Sequence, residues 1–177
     1  MTFASVFKET VREYQPMMEE LVGAQFGEII VRPLDFLKDN WFHNLRARIM
    51  MSDSVDNNIY ASAGNENDDR TGRYVIKYNP CRVLNRRPDE YVRLIVAHEL
   101  GHIGYYSRVT IETRISTSSD WSEAIADYLA VAVFGDPKLP YYGDRLKLSC
   151  DAVETRLQKR ELSLIEALPM LGLEETL

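Results

Sequence analysis

The chain has 177 residues, 45% of them hydrophobic and 27% charged, enough to bury one sizeable core and little for two, so a single domain over residues 1–177 is expected. A formal charge of −6 and a pI near 5.2 run against nucleic acid or an anionic membrane as partner, because both are met by a basic excess. A protein, peptide or small molecule fits that balance better.

Phe3, Val6, Phe7, Val11, Tyr14, Met17, Met18 and Leu21 recur at helical spacing and predict a helix from about Phe3 to Val22, with Pro16 as a point of kinking or division. Lys8, Glu9, Arg12 and Glu13 interrupt this stretch, so neither a signal peptide nor a membrane span is read in it. Cys81 and Cys150 form no C-x-x-C pair, which excludes a thiolate zinc ribbon and leaves two free thiols in a reducing cytoplasm as the expectation.

"GEIIVRPL" reads as a short strand stopped at Pro33, and "DFLKDNWFHN" as a short helix or irregular turn. Between residues 45 and 78, "LRARIMM", "NNIYASA" and "RYVIKY" alternate with turn-forming residues. They predict a small, mostly antiparallel sheet with a loop from Gly64 to Gly72. "EIIVRPL" and "RYVIKY" are the candidates for an edge along which an extended peptide would lie.

From Pro88 the period becomes helical. "PDEYVRLIVAHELGH" opens with proline and two acids, as a helix N-terminus favours, and is expected to end near Gly101 or Gly104. A stretch with few apolar residues follows. "SSDWSEAIADYLAVAVFGDP" then predicts a helix capped by Ser119 or Asp120 and stopped at Gly135, and residues 143–168 one or two more. Helix, small sheet, then several helices define an α+β domain.

The chemistry concentrates in "VAHELGHIGYY". His98 and His102 lie four residues apart, so on a helix both imidazoles project from one face a turn apart, as two corners of a zinc tetrahedron require. Glu99 adjoins them and is placed to act as general base on a water acidified by zinc. His43 is the only other histidine and lies upstream, so the metzincin extension cannot be written. Downstream, Glu123 and Asp127 share one side of the next helix and read as a carboxylate ligand and an outer carboxylate that orients a ligand histidine.

His98, Glu99, His102, Glu123 and Asp127, within "WSEAIADY", resemble the H-E-x-x-H and E-x-x-x-D pattern of the gluzincin metallopeptidases. The resemblance covers residues 94–131. It implies a zincin-like minimal metallopeptidase domain in which an N-terminal helix and small sheet precede a helical half with the zinc site. His98, His102 and Glu123 would bind Zn2+, and a protein or peptide would be the substrate. "YVIKYNP" before "RLIVAHELGH" is similar to the small cytoplasmic gluzincins of the ImmA/IrrE type, some of which cleave helix-turn-helix repressors; their glutamate box usually reads E-A-N-x-F-A, where this chain has E-A-I-A-D-Y-L-A.

Plainer readings stand beside these. The histidines would be ordinary helix residues, Glu123 part of a helix cap, and Asp127 a solvated side chain. A peptidase also needs a donor for the oxyanion. Tyr142, Tyr141 and Tyr106 lead the candidates, with Tyr105, Arg145 and His43 behind. Arg82, Arg86, Arg87 and Arg93 form a basic cluster that is either a solvated face or a subsite for an acidic partner. The rival from another class is a catalytically inactive, zinc-stabilised binding or regulatory module.

Overall fold

The computed structural model describes residues 3–33, 61–65, 73–78, 89–135 and 143–171. In chain order the elements are α1 (Phe3–Val22), β1 (Ile29–Pro33), β2 (Ala61–Asn65), β3 (Tyr74–Tyr78), α2 (Asp89–Arg108), α3 (Ile111–Ser116), α4 (Ser119–Phe134), α5 (Gly143–Arg160) and α6 (Leu164–Leu171). The fold is α+β and mostly helical, with one small sheet. His43, Cys81, Arg82, Arg86, Arg87, Tyr141 and Tyr142, and the segments "DFLKDNWFHN" and "LRARIMM", lie outside the described residues.

Helix α1 buries Phe7, Val11, Tyr14, Met18 and Val22, a stripe stepping by three or four residues. It runs unbroken through Pro16, whose missing N–H costs one hydrogen bond but does not divide the helix. Its end is set by Gly23, at φ +66°, a left-handed conformation that glycine adopts without a Cβ penalty. The Glu19 carboxylate accepts from the backbone N–H of Phe26 at 2.9 Å and from the Gln15 side chain at 2.8 Å, which fastens the following turn to the helix.

Among the described residues the sheet is not mostly antiparallel as expected. Its order is β1-β3-β2, with β1 parallel and β2 antiparallel to β3, so it is mixed. "RYVIKY" is therefore the central strand, its Val75, Ile76 and Tyr78 buried, and it offers no free edge; β1 and β2 are the edges among the described residues. Gly64 and Asn65 continue β2 where a loop was expected, because their pairing with Val75 and Tyr74 extends the ladder.

Helix α2 passes both of its expected stops and ends at Arg108. Its glycines are contact points. A Cβ on Gly101 would lie 2.5 Å from the Ala126 carbonyl oxygen of α4, and one on Gly104 would lie 3.2 Å from Val22 Cγ1 and 3.3 Å from Met18 Sδ of α1. Glycine is needed where backbones approach this closely. The polar stretch after α2 forms α3, capped by the Thr110 hydroxyl, which accepts from the Thr113 N–H. One core cluster joins α1, β3, α2, α4, α5 and α6. No helix among the described residues is long and apolar enough to cross a membrane.

At an open position inside a helix, alanine in place of glycine would stabilise the helix by about 0.5–1 kcal/mol. The Ala126 contact predicts the opposite. Gly101→Ala should lose about 1–3 kcal/mol in urea denaturation, because the obstruction is backbone, whereas Gly104→Ala should lose little, because the flexible Met18 side chain can give way.

Candidate metal centre

Two helices build the site. The Gly101–Ala126 contact holds α2 against α4 one residue from His102 on one side and one residue from Asp127 on the other. Helix α4 is capped by Ser118, one residue earlier than expected, its hydroxyl accepting from the Trp121 N–H. Capping thus needs no carboxylate, and Glu123 turns toward α2.

There Glu123 Oε2 lies 3.3 Å from His98 Nε2, Glu123 Oε1 lies 3.3 Å from His102 Nε2, and the two Nε2 atoms are 3.1 Å apart. An ion with tetrahedral bonds of about 2.0–2.1 Å separates its ligand atoms by about 3.3–3.4 Å. The three groups therefore form a set able to hold a metal ion. His98, His102 and Glu123 are brought together as the spacing implied.

The outer contacts orient these ligands. His98 Nδ1 donates to Asp127 Oδ1 at 2.8 Å, which leaves Nε2 as the ring nitrogen that faces the common centre. Asp127 is buried, so the reading of it as a solvated side chain is set aside. Its other oxygen accepts from the Ser149 hydroxyl of α5 at 2.9 Å, a residue that sequence reasoning missed. His102 Nδ1 faces the Ser122 hydroxyl at 3.4 Å. Ser149 sits on a polar helix 22 residues beyond Asp127 and gives no spacing signal; Ser122, beside Glu123, was legible only as part of the same motif.

Tyr106 lies one turn beyond His102, its ring stacked on the imidazole with centroids 5.8 Å apart and planes 24° apart. Its hydroxyl meets Ser122 at 3.4 Å. The neighbouring Tyr105 is buried, its hydroxyl bonded to Thr117. Tyr141 and Tyr142 lie outside the described residues, as does His43, and Arg145 has no described side chain. Arg93 pairs with Glu13 of α1 at 2.8 Å, a surface link.

Electrostatically the site is a trap for positive charge. Burial opposes a charged His98, but the hydrogen-bonded Asp127 and Glu123 carboxylates and the nearby Glu99 prevail and push its pKa up to about 10. Hydrogen bonds from His102 and His98 hold Glu123 well below the usual carboxylate range. Glu99 is buried, and burial raises its pKa against the lowering charges of His98 and His102. Cys150, a free thiol on α5, is pushed up to about 11 by burial and by Asp127, Glu154 and Asp151, and so is a poor thiolate ligand. No protein-family model matches the chain, and neither the curated proteins nor the solved structures contain a significant match to it.

With its pKa pushed up to about 10, His98 is favoured as the imidazolium in the metal-free site, and an ion must displace that proton. Apparent metal affinity should rise with pH below about 10, by up to about tenfold per unit for one displaced proton. Calorimetry in buffers of different ionisation enthalpy should read about one proton released per ion; affinity flat with pH would mean a neutral His98. Asp127→Asn should weaken the metal about 10–100-fold, and Ser149→Ala by less, since it removes only the support of that support.

Proposed function

We propose that the chain is a zinc-dependent metallopeptidase of the gluzincin type. The observation that carries this reading is the convergence of His98, His102 and Glu123 at tetrahedral spacing with a buried, non-ligating carboxylate, Glu99, on the same helix turn. Two imidazoles and one carboxylate are a donor set suited to zinc, and three protein ligands leave a fourth position for water or substrate. Zinc, when bound, lowers the pKa of water toward ~7 and polarises the carbonyl under attack.

The chain's own residues supply the rest. Glu99 takes the proton from the attacking water and passes it to the leaving amine. Burial, by raising its pKa, moves it toward the range in which one carboxyl group can do both near neutral pH. Asp127 keeps the Nδ1–H tautomer of His98, and Ser149 keeps Asp127 in place. Strand β2 packs on α2 and is an edge of the sheet among the described residues, so a peptide added to that strand would run beside the helix that carries Glu99.

The test separates binding from chemistry. Purified protein should hold about one zinc per chain. His98→Ala should lose it, and Glu99→Gln should keep it while losing cleavage of a peptide library by at least ~10²-fold. Retention of metal by His98→Ala would refute the ligand assignment. A zinc-loaded wild type that cleaves no peptide would favour a binding or regulatory module instead.

A further inference from the structure

The mechanism leaves one nearby cation unused. Arg114, half-buried in α3, has its guanidinium carbon 3.9 Å from the centre of the Tyr106 ring, and that ring stacks on the ligand His102. Three other arginines of the helical half are engaged in structure. Arg93 pairs with Glu13, Arg108 donates to the carbonyls of Gly23 and Ile165, and Arg156 lies over Trp121 and donates to the Leu171 carbonyl. Arg114 has no such acceptor among the described residues: its contact is an aromatic face, which holds the group without neutralising it. In a chain of net charge −6, a cation fixed beside the site with no carboxylate partner among the described residues is a discriminating feature.

The ring stack gives the distance scale. The Tyr106 ring centre lies 5.8 Å from the His102 ring centre and 3.9 Å from the guanidinium carbon, so Arg114 is within about 10 Å of a candidate ligand. An extended peptide covers that distance in about three residues.

We propose that Arg114 is a specificity-determining residue that binds a peptide carboxylate within about three residues of the scissile bond, on an acidic side chain or at a free C-terminus. The substrates are then acidic or C-terminally engaged peptides. The proposal rests on the metallopeptidase reading and locates its selectivity.

The test uses zinc-loaded protein and three peptide hydroxamates: one with glutamate at that position and an amidated end, one with glutamine and an amidated end, and one with glutamine and a free carboxyl end. Isothermal titration should show one or both carboxylate peptides binding about tenfold tighter than the neutral one, and which of them does so identifies the source. Arg114→Gln should bring the ratio to about one, Arg114→Lys should keep part of it, and Arg114→Glu should invert it so that the neutral peptide binds tighter. Equal binding of all three by the wild type, or an unchanged ratio in Arg114→Gln, overturns the proposal and leaves the metallopeptidase reading standing. Failure to bind any hydroxamate overturns both. Carboxylate preference without hydrolysis of any peptide supports the recognition and sinks the peptidase reading.

Discussion

Everything at the metal centre depends on two helix backbones touching. Side chains normally keep helix axes about 8–10 Å apart, and a Cβ on Gly101 would already meet the Ala126 carbonyl. By doing without that Cβ, α2 lets α4 come close enough for one short carboxylate to reach two imidazoles and for the next carboxylate, one turn on, to reach behind one of them. Tetrahedral coordination tolerates little error in ligand spacing. The spacing is here a property of the helix contact, before any ion is considered.

The support then extends outward in layers. Asp127 holds His98, Ser149 holds Asp127, and Ser122 lies between His102 and Tyr106. Each link joins different helices, so α2, α4 and α5 share one polar seam inside an otherwise apolar core. Such a seam carries several acids close together, and a cation relieves their mutual repulsion. The carboxylates that push the His98 pKa up favour a proton there, and the same arrangement would favour a divalent ion in its place.

How much of this was legible follows from range. His98, His102, Glu123 and Asp127 stand four residues apart within their helices, and helical geometry alone puts each pair on one side, so the site could be read. Ser149 could not, because its meeting with Asp127 is set by how α5 packs. The glycines were misread for a related reason: locally, Gly101 and Gly104 look like helix ends, and only the presence of Ala126, Val22 and Met18 on neighbouring helices shows that they are contact surfaces. Likewise alternation identified β3 as a strand but said nothing of which neighbour would pair with it or in which direction. The strand pairs are long-range and the motif is local.

The seating of Gly104 bears on how the molecule tolerates being cut. Gly104 lies about 200° round α2 from His102, so α1 braces α2 from behind and does not lie over the candidate ligands. Met18 and Val22 reach into α2 there, and Phe7, Val11 and Tyr14 continue the same buried stripe. The first helix is thus no detachable cover: a protease nicking the chain after Val22 would not unveil the site but pull out its keystone.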